Sequence, residues 1–314
     1  MKQVKILDCT FRDGGYYTNW DFEPKLVDVY IQSLNSLPID YIEIGYRSTP
    51  KKEYLGEYFY CPSYLLEYFH HKAKNKIAVM LNEKDTKPGD VQILLDPCKG
   101  LVNMVRLAVD PQNLHRAIKL ATEIRKLGFE IGFNVMYMSK WKHMANFLND
   151  VKYVDEVADY FYLVDSYGGV YPEDVKETIE LVSSLTTCKL GFHGHNNLEL
   201  ALINSLTALD SGAEIIDSTV LGMGRGPGNL KTELLLSVLN VKSGLDVDFN
   251  ALSNVLDGFQ ELHENHQWGT NLPYMVSGSN SLPQKDVMEW VTRRFYSINS
   301  IIRALQNQKA GITD

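Results

Sequence analysis

The stretch ILDCTFRDGGYY, residues 6–17, runs from apolar side chains into a dense group of polar ones. Arg12 and Asp13 are adjacent in it, and the glycine pair at 14–15 predicts a sharp backbone turn after them. Buried charges must be paired or ligated, so a carboxylate beside a guanidinium suits a metal and an anionic substrate better than a core. We therefore predict a strand that ends at a functional rim. The alternative is an ion pair that closes the strand end.

The composition is that of an ordinary globular protein. The chain has 314 residues, 45% hydrophobic and 22% charged. This length suits one α/β barrel, which takes roughly 250 residues, plus an appendage. The net charge of -8 and the lack of basic clusters interleaved with aromatic residues argue against a nucleic-acid partner. An acidic chain can still bind an anionic substrate if its pocket supplies cations or a metal.

Cysteine usage and hydropathy indicate the compartment. Cysteines 9, 61, 98 and 188 lie far apart and form no C-x-x-C pair, so neither a zinc knuckle nor a disulfide framework is predicted. The chain starts with a strand-like run rather than an apolar leader, and no run of about 18 apolar residues occurs. We therefore expect a cytoplasmic protein with no membrane partner.

Short β-rich runs alternate with helical patterns over most of the chain. The predicted strands are residues 4–10, 41–45, 76–81, 101–109, 130–138, 160–165, 189–195 and 214–220. Pro24, Pro111 and Pro172 stand where helices would begin, and Gly128 and Gly212 where helices would end. Parallel strands need crossover connections, which place the helices outside. Eight strand-then-helix units therefore predict a (β/α)8 barrel, the TIM-barrel fold.

The alternation stops after residue 245. The pattern becomes helical over residues 249–263 and 286–305, with a connection rich in Gly, Asn and Pro at 268–283. We predict a barrel domain over residues 1–245 and a helical extension over residues 246–314. The extension would pack on the barrel and cover its mouth, or it would form an oligomer interface such as that of a homodimer. The sequence leaves these alternatives open.

Polar residues accumulate at the carboxyl ends of the predicted strands, where barrels of this type have their active sites. His193 and His195 are two apart on the seventh strand, so both point toward one spot. An H-x-H pair alone is also typical of core or surface histidines. With Asp13 facing it from the first strand, the pair would complete a three-point site for a divalent transition ion.

The loop GMGRGPGNL, residues 222–230, contains four glycines in seven residues. One interpretation is a loop that cradles a phosphate, but the order matches neither a P-loop nor a dinucleotide fingerprint. The other is that the glycines let the backbone bring Asn229 to the metal as an oxygen ligand. We favour the second.

Four motifs, in this order, resemble the metal-dependent lyase and aldolase barrels related to 3-hydroxy-3-methylglutaryl-CoA lyase. They are DCTFRDG at 8–14, IEIG at 42–45, GFHGHNN at 191–197 and GMGRGPGN at 222–229. Within that family the nearest likeness is to 4-hydroxy-2-oxovalerate aldolase, through MYMS at 136–139, YLVDSYGG at 162–169 and HNNLELALINS at 195–205. The resemblance spans residue 4 to about residue 243 and weakens in the C-terminal extension.

The resemblance implies a divalent metal cofactor, Mn²⁺ or Mg²⁺, with Zn²⁺ or Co²⁺ as alternatives. Its ligands would be Asp13, His193 and His195, and Asn229 would be a nearby or fourth ligand. Arg12 would lie beside the substrate's oxo group, with Ser166 near its carboxylate and Tyr137 also in contact with it. Glu43 would orient Arg12 or a metal-bound water. The alternative for Arg12 and Glu43 is a structural salt bridge.

The reaction implied is the reversible cleavage of a 4-hydroxy-2-oxo acid to pyruvate, or a related 2-oxo acid, and an aldehyde. Splitting a carbon–carbon bond β to a ketone leaves an enolate, and positive charge already present at the developing oxyanion lowers the barrier. A metal that chelates the keto and carboxylate oxygens acts as that Lewis acid. Arg12 adds a permanently charged donor.

One position departs from the family pattern. The resembling aldolases carry a catalytic histidine three residues after the metal-binding aspartate, where this chain has Tyr16. Tyrosine ordinarily titrates near pH ~10, so it is a poor general base at neutral pH. The base would be Tyr16, a metal-bound hydroxide, or a histidine from elsewhere, His143 or His266. Two other functions are open. One is a Claisen-type acyl-CoA condensing enzyme, for which we see no CoA site. The other is a non-catalytic barrel that binds a metal or a small molecule and has lost the usual base, which Tyr16 favours.

Overall fold

Eight parallel strands close into a barrel in the computed structural model, which describes residues 4–311. The strands are β1 Lys5–Asp8, β2 Tyr41–Tyr46, β3 Lys76–Asn82, β4 Met104–Val109, β5 Glu130–Val135, β6 Tyr160–Asp165, β7 Lys189–Gly194 and β8 Ile215–Ser218. β8 pairs with β1, from Lys5 opposite Ile215 to Asp8 opposite Ser218. The predicted (β/α)8 barrel is confirmed. Residues 1–3 of the predicted barrel domain and residues 312–314 of the predicted helical extension lie outside the described residues.

Helices connect the strands and then continue beyond the barrel. Between residues 4 and 311 they are α1 Thr10–Thr18, α2 Pro24–Leu34, α3 Glu57–Tyr60, α4 Ser63–Lys72, α5 Val91–Leu95, α6 Leu114–Arg125, α7 Ala145–Asp150, α8 Pro172–Ser183, α9 Ala201–Asp210, α10 Thr232–Ser243, α11 Phe249–His266, α12 Leu272–Ser279, α13 Gln284–Arg293 and α14 Ile298–Ala310. The 3₁₀ turns are Glu83–Asp85, Pro88–Asp90, Asp96–Cys98, Pro111–Asn113, Met138–His143, Val151–Glu156 and Val220–Gly222. In this part of the chain, no helix combines the length and the apolarity needed to cross a membrane.

The predicted helix boundaries hold at the proline and glycine positions. Pro24 and Pro172 begin α2 and α8, and Pro111 begins a 3₁₀ turn that leads into α6. Gly128 and Gly212, both with positive φ, follow the ends of α6 and α9. Proline pre-sets the backbone angle of a first helical turn, and glycine tolerates the left-handed conformation after a last one.

The predicted turn at Gly14 and Gly15 is wrong, because both residues lie inside α1. They are needed for close approach instead. A Cβ on Gly14 would lie 2.5 Å from the Sδ atom of Met223, and one on Gly15 would lie 2.2 Å from the ring of Trp20. The predicted first strand is also too long, since α1 begins at Thr10. Helix α1 therefore leaves β1 almost at once and packs tightly against the barrel mouth.

The C-terminal helices differ from the prediction in number. Residues 286–305 do not form one helix, because Arg294 adopts φ of 55° and ends α13, and Ser297 then caps α14. The predicted connection at 268–283 contains α12. Gln284 donates a hydrogen bond to the carbonyl of Tyr167 (3.0 Å), which places the start of α13 against the loop after β6. The extension thus lies beside the barrel mouth.

The barrel interior is packed and holds a charged side chain. Inward-facing apolar residues form one cluster, Leu7, Cys9, Tyr41, Ala78, Met104, Tyr160, Tyr162 and Ile215. Arg106 on β4 is fully buried beside this cluster, with its guanidinium carbon 4.2 Å from the ring centroid of Tyr162. Gly132 leaves room for it, since a Cβ there would lie 3.2 Å from the Cγ atom of Arg106. The charge sits directly beneath the mouth, at the level where the site begins.

Candidate active site

A cavity of about 220 Å³ opens at the carboxyl ends of the strands. Most of the predicted site residues line it: Arg12, Asp13, Tyr16, Tyr137, Ser166, His193 and His195. Glu43 and Asn229 are buried and contact the lining residues from behind. The structure therefore brings residues from six of the eight strand ends to one place.

The two histidines are oriented by hydrogen bonds to their Nδ1 atoms. Nδ1 of His193 lies 2.8 Å from the Asp217 carboxylate, and Nδ1 of His195 lies 2.7 Å from the backbone carbonyl of Asp165. These oxygens only accept hydrogen bonds, so each ring carries its proton on Nδ1 and keeps a free lone pair on Nε2. Metal-binding histidines are oriented in this way by carboxylates and carbonyls.

Asp13 faces His193 from the first turn of α1. Its Oδ2 atom lies 3.6 Å from Nε2 of His193 and accepts a hydrogen bond from the amide of Asn229 (2.7 Å). The carboxylate oxygen and the bare imidazole nitrogen both present lone pairs to the same space. Such an arrangement is repulsive unless a cation lies between the two atoms. The residues therefore fit a metal ion.

Asn229 reaches this site because its loop contains glycines. A Cβ on Gly224 would lie 2.5 Å from the Asn229 side-chain nitrogen, so only glycine permits this approach. The Oδ1 atom of Asn229 is buried and has no hydrogen-bond partner within residues 4–311. A buried amide oxygen without a partner is costly, and a cation would satisfy it.

Arg12 is held between two carboxylates. Its Nε atom donates to Glu43 at 2.7 Å and its Nη1 atom donates to Asp13. No hydrogen bond within the described part of the chain uses Nη2, which leaves that group for a bound molecule. The predicted contact between Glu43 and Arg12 is present, and it is a buried salt bridge. It orients a side chain that also lines the cavity.

Sequence reasoning missed Arg106, which joins the two sides of the site. It donates to Glu43 (3.1 Å), to Asp217 and to Asn134 (2.9 Å). Arg106 therefore supports both the carboxylate that holds Arg12 and the carboxylate that holds His193. The available signal was a single arginine in the apolar run MVRLAV, because a charge buried inside a barrel requires partners on other strands.

The surrounding charges set the protonation states. Burial alone would raise the pKa of Asp13, but the Arg12 guanidinium, together with the hydrogen bond from Asn229, outweighs it and lowers that pKa. Burial likewise opposes ionisation of Asp217, yet Arg106 and His193 lower its pKa. Burial, with a contribution from His193, lowers the pKa of His195 to about 3. Ionised carboxylates and a neutral imidazole are the states in which these groups bind metals.

A cysteine completes the closest group of ligand-type atoms. Among the residues that the structure describes, Cys9, Asp13 and His193 each offer one such atom within 4.8 Å of the others. His195 adjoins this group, with its ring centroid 5.0 Å from that of His193. Burial raises the pKa of the Cys9 thiol well above its usual value, which favours the neutral form. Its Sγ atom lies 3.7 Å from Oδ2 of Asp13.

The candidates for a general base are placed differently. Tyr16 lines the cavity, with its ring 5.0 Å from that of Trp20. His143 lines a separate cavity near α7, and His266 lies beside the ring of Tyr17 at 5.6 Å. Neither histidine lines the candidate cavity, so Tyr16 is the one of the three side chains that reaches it.

The remaining predicted residues form one wall. Tyr137 follows β5 in a left-handed conformation (φ 61°), and its backbone N–H donates to the hydroxyl oxygen of Ser166 at 2.8 Å. The Ser166 hydroxyl keeps its own proton available for a molecule in the cavity.

Fold and site together define a class: a (β/α)8 barrel with a candidate metal centre at the mouth and a buried arginine beside it.

Comparison with known proteins gives the family. The HMGL-like family model matches residues 65–257, and the chain belongs to that family. The 4-hydroxy-2-oxovalerate aldolase of Geobacillus thermodenitrificans is 31% identical over 258 residues, which cover 78% of this chain and 73% of that protein. The predicted resemblance to the lyase and aldolase barrels is confirmed.

Two further relatives extend the comparison. The oxaloacetate decarboxylase of Mycobacterium tuberculosis is 26% identical over 330 residues, covering 98% of this chain and 92% of that protein. A crystal structure of the N-terminal domain of a candidate aldolase from Bacteroides vulgatus is 58% identical, with a TM-score of 0.91. It covers 96% of this chain and 100% of that one. The relatives therefore include aldolases and a decarboxylase.

Proposed function

We propose that the protein is a divalent-metal-dependent aldolase that reversibly cleaves a 4-hydroxy-2-oxo acid to pyruvate, or a related 2-oxo acid, and an aldehyde. The observation that carries the proposal is the convergence of Asp13, His193 and His195 on one cavity beside Arg12. Both imidazoles are tethered through Nδ1, which leaves Nε2 free. The named aldolases among the relatives support the reaction class.

Asp13, His193 and His195 would hold the metal, and the oxygen of Asn229 would add a fourth ligand. A bound divalent ion would supply Lewis-acid polarisation of the 2-oxo acid. Mn²⁺ and Mg²⁺ are the ions we expect, with Zn²⁺ and Co²⁺ as alternatives.

The residues around the metal would bind and orient the substrate. Cleavage breaks the bond between C3 and C4, the 4-hydroxyl loses its proton as the aldehyde forms, and the electron pair passes to the C2 oxygen. The free Nη2 group of Arg12 would donate to that oxygen as it gains charge. Ser166 would donate to the substrate carboxylate, and Tyr137 would close the wall beside it. Protonation at C3 then yields the 2-oxo acid.

Tyr16 would contact the 4-hydroxyl end of the substrate. It occupies the position at which the resembling aldolases carry a histidine, and it is half-buried at the cavity wall. Burial, followed by the neighbouring Tyr16 phenol, raises the pKa of Tyr46, and both tyrosines line the cavity. Such a pair can position a hydroxyl group and relay its proton.

The proposal is tested by removing the two imidazoles. His193→Ala and His195→Ala should each abolish bound metal and pyruvate release from 4-hydroxy-2-oxopentanoate, because each removes a ligand. Metal content is measured by elemental analysis of the purified protein, and pyruvate by a coupled assay. His71→Ala, on the exposed face of α4, is the matched control and should keep both. Full activity in either cavity variant refutes the proposal.

A decarboxylase is the second candidate. Loss of CO₂ from a 3-carboxylated 2-oxo acid gives the same enolate but requires no base for a 4-hydroxyl, which suits the replacement of histidine by Tyr16. The oxaloacetate decarboxylase relative aligns with 98% of this chain. Comparing CO₂ release from oxaloacetate with aldehyde release from 4-hydroxy-2-oxopentanoate, above the rate with free metal, separates the two activities.

A further inference from the structure

The loop after β8 presents one charged side chain, Arg225, to the candidate cavity. Arg225 is half-buried, and its guanidinium carbon lies 5.4 Å from the centroid of the Tyr16 ring. Between residues 4 and 311, no carboxylate lies within ion-pair distance of it. The guanidinium therefore rests on an aromatic face with its N–H groups unpaired.

The other two arginines of this region are different. Arg12 is paired with Glu43 and Asp13, and Arg106 is paired with Glu43 and Asp217. Removing a guanidinium from water without a partner is unfavourable, so arginines at partly buried positions are normally paired with carboxylates. An arginine left open at a cavity wall is suited to a planar oxyanion, which it can bind through two parallel hydrogen bonds.

The loop holds Arg225 in a defined place. The Tyr17 hydroxyl donates to the carbonyl of Gly226 at 2.9 Å, and the Asn229 N–H donates to the carbonyl of Gly222 at 3.0 Å. The same loop thus delivers Asn229 to the candidate metal site and Arg225 to the cavity wall beside Tyr16. A side chain on a tethered loop loses less entropy on binding than one on a free loop.

The charge of the cavity supports an additional anion. Its lining contains three cationic side chains, Arg12, Lys84 and Arg225, and within the described residues one carboxylate, Asp13. This local balance is opposite in sign to the net charge of -8 of the chain. A simple 2-oxo acid supplies one carboxylate, which the metal end would take. Arg225 would remain without a partner if the rest of the substrate were neutral.

A second cavity beside Tyr16 offers space for a substrate longer than a simple hydroxy-oxo acid. Tyr16 lines the candidate cavity on one side and a second cavity of about 570 Å³ on the other. Polar and cationic side chains of the C-terminal helices, including His266 and Arg294, line that second cavity. A polar tail that passes Tyr16 would meet no acidic side chain in the described part of either lining except Asp13.

We propose that Arg225 binds an oxyanion on the aldehyde half of the substrate, so that the enzyme selects 4-hydroxy-2-oxo acids carrying a second carboxylate or a phosphate. Tyr16 supports the guanidinium as an aromatic platform. This inference rests on the proposed aldolase function and deepens it by naming the substrate class. Arg225 then determines specificity and lies outside the metal-binding group.

The kinetic test compares charged and neutral aldehydes in condensation with pyruvate. Succinic semialdehyde is paired with butanal, and glyceraldehyde 3-phosphate with glyceraldehyde, so the two pairs distinguish a carboxylate from a phosphate. The wild type should prefer the charged member of at least one pair by about 10- to 100-fold in kcat/KM, the range for hydrogen bonds to a charged group. Arg225→Met should bring that ratio close to one.

The control is Arg303→Met, which removes the same charge from the exposed face of α14 and should keep the wild-type ratio. The inference is overturned if the wild type shows no preference in either pair, or if Arg225→Met retains the preference.

A binding measurement separates this inference from the proposed function. Calorimetry on the Mn²⁺-loaded protein compares 2-oxoheptanedioate with 2-oxoheptanoate, which differ in the terminal carboxylate and lack the 4-hydroxyl needed for cleavage. Tighter binding of the dianion that disappears in Arg225→Met supports the inference. Equal affinities in the wild type contradict it. If the wild type condenses no aldehyde at all, the proposed function fails, and this comparison still decides the role of Arg225.

Discussion

Two regions of the molecule place charge at the barrel mouth in different ways. In the interior, Arg106, Glu43 and Asp217 are fully buried and paired with one another. In the loop after β8, Arg225 is half-buried without a carboxylate partner among residues 4–311. The interior network fixes the positions of other side chains, whereas the loop keeps polar groups open. Paired charge pre-organises the site, and open polar groups are left for ligands.

The largest expected effect is in the interior. Arg106→Met should lower the free energy of unfolding by about 3–5 kcal/mol, because it leaves two buried carboxylates without their shared partner. Urea denaturation of the purified proteins measures this. Arg125→Met breaks an exposed pair with Asp159 and should cost at most about 1 kcal/mol. If the two variants lose similar free energy of unfolding, the interior network contributes no more to stability than an exposed ion pair does.

A smaller effect is expected from the loop, and on binding rather than on stability. Gly224→Ala would push a Cβ against the side chain of Asn229, which contacts Asp13. We expect Mn²⁺ affinity to fall by about 10- to 100-fold, as for other residues that support metal ligands. Calorimetric titration measures the affinity. Gly89→Ala, where a Cβ meets no atom within 4 Å, is the matched control. Unchanged affinity in Gly224→Ala contradicts the role of the loop.

The sequence predicted the barrel because each strand and helix carries its own local signal. Apolar runs of strand length alternate with helical patterns, and prolines and glycines mark the boundaries. The motif residues His193, His195 and Asp13 could be assigned to one mouth because strand ends of a closed parallel barrel meet there. These inferences need only the chain direction and the order of the strands.

Other features depend on contacts that no local pattern reveals. The pattern of Gly14 and Gly15 indicated a turn, but these glycines make room for Met223 and Trp20. Met223 is distant in sequence, so this contact cannot be read from the local pattern. Sequence reasoning missed Arg106 because its carboxylate partners lie on other strands, β2 and β8. The unpaired state of Arg225 is likewise visible only when the positions of all neighbouring carboxylates are known.

The exchange of the methyl protons of pyruvate for deuterium in heavy water is the most direct test of the central claim. We predict metal-dependent exchange by the wild type, measured by mass spectrometry, because a metal held by Asp13 and His193 and the guanidinium of Arg12 would stabilise the enolate. His193→Ala should show none. A wild-type protein that binds metal and pyruvate without any exchange would be a binding barrel, and that result would contradict the account.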